Sequence, residues 1–176
     1  MGVIGNGGPP PRTVIVRQGD HAASDDPSVV FSALLGSCVA LCLHDPVARC
    51  GGMTHTIHAA GLARAQDVAL RLNDFETVFN AIMRMGARRE RLHVSVVGGA
   101  HVIGIGREVG TELVRHILSL ICREGLIPRY MDIRGRQARQ IRFGPATGTL
   151  DVRRVADAHV PDAPIRRPKP VGVELF

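Results

Sequence analysis

Apolar positions along this chain recur with two different periods, and the changes of period mark its elements. Thr13-Val14-Ile15-Val16 is a run of β-branched residues that predicts a short first strand. Ser37 to Leu43 is almost continuously apolar, the pattern of a strand buried on both faces. Asp45-Pro46-Val47-Ala48 reads as a turn with Pro at its second position, and Cys50 to His58 as the returning strand. From Ala65 to Met85 the spacing becomes helical, with Val68, Leu72, Phe75, Val78, Phe79, Ile82 and Met83 on one stripe and Gly86 as the stop. Leu92 to Val97 predicts another strand, closed by Gly98-Gly99. A second helix from about Arg107 to Glu124 carries Val109, Leu113, Ile117, Leu118 and Ile121 on one face, with Gly125 as its C-cap. Three further strands follow at 126–133, 139–144 and 148–153.

The order βββ-α-β-α-βββ, with hairpins at each end, predicts an α+β fold. It is a single-domain layered sandwich of mainly antiparallel sheet with two long helices, each long enough to cover a sheet face. Residues 1–11 hold four Gly and three Pro and predict a flexible N-terminal segment, whereas 156–176 carry Asp, Pro and paired Arg without apolar period and predict a disordered tail. One core over residues 12–155 is the simplest account of the rest.

Composition narrows the function classes. Of the 22 basic residues 21 are Arg, the net charge is +6, Trp is absent and Tyr occurs once. With almost no aromatic platform for stacking bases, nucleic acid is not the expected partner, and attraction to acidic protein surfaces accounts for the charge at least as well. The first twelve residues are Gly/Pro-rich with no apolar stretch of signal-peptide length, and no window approaches the ~18 apolar residues of a membrane span. The expectation is a cytoplasmic protein without membrane insertion, in which Cys38, Cys42, Cys50 and Cys122 are free thiols.

The candidate chemistry lies in the first hairpin. Cys38 heads the apolar strand and His55 stands on the next one; a thiol beside an imidazole suffices for nucleophilic acyl transfer. A turn centred between Pro46 and Val47 would set Cys38 directly opposite His55, with Cβ atoms about 4.5–5.5 Å apart, unless Gly51-Gly52 forms a bulge. A neighbouring imidazolium would lower the thiol pKa. His55 would protonate the departing amine and then activate water. Ser32, six residues before Cys38, is the candidate for orienting the imidazole. Two other readings compete, one plain and one equally sharp. A Cys inside an apolar strand is often mere packing, and Cys38, Cys42, His44, Cys50, His55 and His58 together suggest a metal cluster. Against the metal, no C-x-x-C knuckle or H-x-x-x-H pair is present. The expectation is no metal and no cofactor.

These segments resemble the CheD family of chemoreceptor glutamine deamidases. Leu35-Gly36-Ser37-Cys38-Val39-Ala40, with Leu43 and Asp45, is similar to that family's nucleophile strand, and Gly51-Gly52-Met53-Thr54-His55 to its histidine strand. Val97-Gly98-Gly99-Ala100, Ile105-Gly106, Glu124-Gly125-Leu126-Ile127, Asp132, Gly135, Arg139 and Thr147-Gly148 continue the likeness over about residues 12–155. The resemblance implies a layered fold related to bacterial toxin deamidases. It also implies hydrolysis of glutamine side chains on methyl-accepting chemotaxis receptors, and in some members a CheC-type phosphatase partner. Carried over, Cys38 is the nucleophile, His55 the base and acid, and Ser32 stands for the family's Thr. The chain departs from the family pattern at Ser32, at Ile57-His58-Ala59-Ala60, at Val97, and at Arg134 and Ala138, where glycine is usual. A non-catalytic adaptor and a different thiol hydrolase, such as a protein methylesterase, are the competing functions.

Overall fold

A computed structural model describes residues 10–57, 64–101 and 109–155. Among these residues nine strands and two α-helices follow in the order β1 (Arg12–Ile15), β2 (His21–Ser24), β3 (Val29–Leu35), β4 (Val39–Asp45), β5 (Cys50–Thr56), α1 (Arg64–Arg84), β6 (His93–Gly98), α2 (Val109–Arg123), β7 (Pro128–Ile133), β8 (Ala138–Phe143) and β9 (Leu150–Val155), with a single 3-10 turn, Arg89–Arg91, before β6. The strands form a four-stranded sheet, β1-β3-β8-β9, and a five-stranded sheet, β2-β5-β4-β6-β7. The β1–β3 and β6–β7 pairs are parallel and the other five antiparallel.

Alternation along β4 explains the layers. Val39, Leu41 and Leu43 point to one side, into a cluster with Phe75, Val78 and Ile82 of α1 and Leu113, Ile117 and Ile121 of α2. Ala40 and Cys42 point to the other side, against Phe31, Ala33 and Leu35 of β3 and Ile141 and Phe143 of β8. The result is helices on the five-stranded sheet, and that sheet on the four-stranded one. This is the layered α+β sandwich that the periodicity predicts, and β4, buried at all seven positions, is its centre. Gly86 and Gly125 both adopt positive φ at the ends of the two helices.

Two strands escape the periodicity. His21-Ala22-Ala23-Ser24 has little intrinsic β preference and becomes β2 only because it lies along β5. Val29 to Leu35 does alternate, with Phe31, Ala33 and Leu35 facing the core, but the small residues Ser32 and Ala33 weaken the signal. The expected N-terminal segment apart from residues 10–11, the start of the second helix before Val109, Ile105-Gly106, Ile57-His58-Ala59-Ala60 apart from Ile57, and the C-terminal tail lie outside the described residues.

The turn between β4 and β5 is one position further along than the sequence suggests. Asp45 pairs with Cys50, so four residues make the turn rather than two. The carboxylate of Asp45 accepts from the backbone N–H of Val47 at 2.8 Å and Ala48 at 3.0 Å, while its own carbonyl accepts from Arg49 N–H at 2.8 Å. An aspartate able to bond the chain two and three residues on selects this longer turn. Pairing then runs unbroken from Asp45 opposite Cys50 to Val39 opposite Thr56, with no bulge at Gly51-Gly52. Those glycines serve close approach instead. A Cβ on Gly51 would meet the Leu43 and Pro145 carbonyls at 2.5 and 2.7 Å, and one on Gly52 would meet Val78 Cγ1 at 2.5 Å.

Arg134, where glycine is usual in the family it resembles, sits at φ 65°. A left-handed conformation costs a residue with a Cβ about 1 kcal/mol or more. Arg134→Gly is therefore expected to stabilise the fold by roughly 0.5–1 kcal/mol, once the larger backbone entropy of glycine in the unfolded chain is set against the relief. A chemical-denaturation midpoint that rises in the variant checks this; an unchanged or lower midpoint contradicts it.

Candidate active site

The thiol of Cys38 is held in place by backbone rather than by side-chain partners. The short connection Gly36-Ser37-Cys38 joins β3 to β4. It is pinned to the end of β6: Gly99 N–H donates to the Cys38 carbonyl at 2.7 Å and Ala100 N–H to the Gly36 carbonyl at 2.9 Å. Gly98 makes this possible. Its φ is 118°, and a Cβ there would run into the Cys38 carbonyl oxygen. Only glycine has both the freedom and the space for this pinch.

His55 is fixed just as tightly. Its ring Nδ1 lies 2.9 Å from the Val16 carbonyl oxygen. Its backbone is strapped on both sides by the loop between β1 and β2, with Gly19 N–H donating to the His55 carbonyl at 2.8 Å and His55 N–H to the Asp20 carbonyl at 2.9 Å. Because a carbonyl only accepts, Nδ1 carries the proton and Nε2 is left as a bare acceptor. Nε2 is buried and has no hydrogen-bond partner among the described residues. A buried acceptor without a protein partner is uncommon and costly, and a catalytic role is one of the reasons such a group is kept.

The longer turn moves the pairing by one step. Ala40, not Cys38, stands opposite His55. Cys38 is two residues before Ala40, so it shares the inter-sheet face and is the diagonal neighbour of His55, a spacing of about 7–8 Å between Cα atoms. The two residues are therefore diagonal neighbours rather than directly opposed. Both groups are almost wholly covered, Cys38 being 6% and His55 3% exposed.

Burial also sets the charge state. Desolvation pushes the Cys38 thiol up to about 11. Desolvation lowers the His55 pKa, the Val16 hydrogen bond and the Asp20 charge opposing it only in part. At neutral pH the site holds a thiol and a neutral imidazole, not the preformed thiolate–imidazolium pair expected from sequence.

Ser32 is elsewhere. Its neighbours Phe31 and Ala33 face the second sheet, so its side chain leaves the other face of β3. There its hydroxyl donates to the Ile141 carbonyl at 3.2 Å and accepts from Gln140 Nε2 at 2.8 Å. Ser32 reaches the imidazole only through the main chain: its carbonyl accepts from Val16 N–H at 2.9 Å, and Val16 holds Nδ1. Sequence reasoning missed Val16, Gly19 and Asp20, because backbone groups leave no residue-type signal. The single hint was the Gly-Asp turn after the first strand. An open depression of about 330 Å3 lies between β1 and β2, with Val16, Gly19 and Asp20 in its wall.

The cluster that suggested a metal is taken apart by the fold. Cys50 belongs to the helix-facing core, Cys38 and Cys42 to the inter-sheet core, and His44 Nδ1 bonds the Pro145 carbonyl at 2.8 Å. His58 lies outside the described residues. Among the described residues no three His, Cys, Asp or Glu side chains gather to hold an ion.

The fold and this site define a class: an α+β sandwich with a thiol and a free imidazole nitrogen on one inner sheet face. Comparison with known proteins places the chain more closely. The family model described as CheD chemotactic sensory transduction matches residues 73–154. The "Probable chemoreceptor glutamine deamidase CheD" of Cereibacter sphaeroides is 33% identical over 140 residues, 79% of this chain and 70% of that one. The protein of the same name from Agrobacterium fabrum is 32% identical over 175 residues, 94% of this chain and 97% of that one. That from Jannaschia sp. is 34% identical over 168 residues, 92% and 93% of the two chains. This chain belongs to the CheD family. Among solved structures, Bacillus licheniformis hypothetical protein YfiH aligns with 72% of this chain and 59% of its own at 14% identity, with a TM-score of 0.44. No described helix is long and apolar enough to cross a membrane.

Proposed function

We propose that this chain deamidates glutamine side chains on chemoreceptors, with Cys38 as nucleophile and His55 as general base and acid. The observation that carries this reading is the unpartnered Nε2 of His55, aligned by Val16 on the sheet face that also bears Cys38. Relatives named chemoreceptor glutamine deamidase supply the substrate class.

The steps follow from the charge states. Cys38 is protonated until substrate arrives, so Nε2 takes the thiol proton as Sγ attacks the side-chain amide carbon. The tetrahedral oxyanion collapses as His55 returns that proton to nitrogen; the C–N bond breaks and ammonia leaves, with a thioester on Cys38. His55, neutral again, takes a proton from water as its oxygen attacks the thioester. The C–S bond breaks as His55 returns that proton to Sγ, restoring the thiol, and the glutamic acid so formed loses its proton to solvent to become the carboxylate. Each glutamate so formed is a site for adaptive methylation. The cytoplasm as location, and a CheC-type phosphatase as partner, belong to the same reading. Burial of Cys38 also suits a non-catalytic adaptor of the same fold, and turnover separates the two.

The test is incubation with receptor cytoplasmic fragments and peptide mass spectrometry. A gain of about one mass unit at Gln, absent with Cys38→Ala, supports the enzyme; no gain with either favours the adaptor. The pH profile is a second check. Burial lowers the His55 pKa from 6.5, so the neutral base persists below that pH. The acid limb of kcat/KM is expected to fall with an inflection below pH 6.5, and a limb at or above 7 would contradict the assignment.

A further inference from the structure

Residues 129–155 hold seven Arg and two Asp, five of the chain's six net positive charges. Arg139 is buried and paired with Asp132 at 2.7 Å; the other six arginines are exposed. The fold brings part of this charge beside Cys38. Asp132 lies on β7, two strands from β4 across the sheet, a separation of about 10 Å. The loop after β7 is fastened to the same turn that pins the nucleophile: Arg134 N–H donates to the Gly98 carbonyl and His101 N–H to the Gly135 carbonyl, both at 2.8 Å. At this end the acid Asp132 is already engaged by Arg139 and, at 3.6 Å, by Arg154, which is 64% exposed. Arg134 and Arg136 project from the loop with no ion pair among the described residues. Arg129 and Arg142 lie toward the other ends of β7 and β8.

We infer that Arg134, Arg136 and Arg154 form an anion-recognising rim beside Cys38, which selects glutamines set in acidic stretches of a protein substrate. The inference deepens the deamidase reading and rests on it for the identity of the reacting residue. An acidic polypeptide fits better than nucleic acid, since the chain has no Trp and the single Tyr130 to stack a base. Guanidinium groups pair with carboxylates in a two-pronged geometry, which favours glutamate and aspartate flanks.

The experiment uses two fluorescent peptides with one central Gln, flanked by Glu in one and by Ser in the other. Binding by polarisation is compared for the wild type, Arg136→Glu/Arg154→Glu, and Arg129→Glu/Arg142→Glu, each checked for folding by circular dichroism. The acidic peptide is expected to bind wild type ~10-fold more tightly at low salt, to lose that margin in Arg136→Glu/Arg154→Glu, and to keep most of it in Arg129→Glu/Arg142→Glu. High salt should erase the preference. Equal binding of the two peptides, or equal losses in both double variants, would overturn the rim. So would a single-stranded oligonucleotide that displaces the acidic peptide and binds more tightly. Turnover distinguishes the two readings: an acidic peptide bound through the rim but never deamidated sinks the enzyme and spares the rim. Both peptides deamidated with equal kcat/KM does the reverse.

Discussion

His55→Ala is expected to lower kcat/KM for receptor deamidation by about 10²–10⁴, the usual contribution of a positioned general base. The loss should be larger here than in a site with a preformed thiolate. Burial pushes the Cys38 thiol up to about 11, so without an acceptor for its proton little nucleophile exists at neutral pH. The variant also leaves the Val16 carbonyl without its partner, which costs about 1–3 kcal/mol of stability, so a thermal scan must accompany the assay. Ser32→Ala provides the contrast. Its hydroxyl bonds Ile141 and Gln140 on the opposite face of β3, and the main-chain link to Val16 survives the substitution. A stability loss of about 1 kcal/mol with kcat/KM within a few-fold of wild type is the expected result. A Ser32→Ala loss as deep as that of His55→Ala would return the orienting role to the hydroxyl.

Asp45→Ala is expected to produce the largest loss of stability, roughly 3–5 kcal/mol. This carboxylate is wholly buried and is the junction of three segments. Besides the turn N–H groups of Val47 and Ala48, it accepts from Arg88 N–H at 2.8 Å and from Arg91 Nε at 2.9 Å. Burial by itself would raise its pKa, but the Arg91 guanidinium and the three backbone donors outweigh it and hold the carboxyl well below the usual carboxylate range. The sign of the pH dependence follows. A folded pKa below the unfolded value of 3.8 means that this stabilisation is complete above that pH and fades as pH falls through and below it. Denaturant titrations of wild type and Asp45→Ala should differ by a constant amount near neutrality and converge in acid. A gap that widens on acidification would contradict the assignment. Because the same turn sets the register of β4 against β5, the variant should also lose activity.

The contrast between what could and could not be read in advance is physical. Continuous apolar runs such as β4, and helical stripes such as that of α2, report burial on one or two faces, and burial is encoded residue by residue. The strand His21–Ser24 was illegible because its pairing with β5, not its composition, makes it extended. The partnership of Cys38 with His55 was visible as a pair of reactive side chains, but its geometry depended on a turn that a single carboxylate lengthens. The group that holds the imidazole was beyond reach, since Val16 acts through its carbonyl and any residue type would serve. The arginines of residues 129–155 were plain as composition, while the placing of Arg134, Arg136 and Arg154 at the Gly98 end depends on a parallel pairing of β6 with β7 that only the fold supplies.

The central claim, that a buried thiol at Cys38 reacts through His55, is tested most directly by a receptor peptide whose target glutamine is replaced by its diazoketone analogue. Peptide mapping after reaction should find the adduct on Cys38 alone, formed much more slowly in His55→Ala, although Cys122 is the exposed cysteine. An adduct on Cys122 instead, or labelling of Cys38 at the same rate without the imidazole, would contradict it.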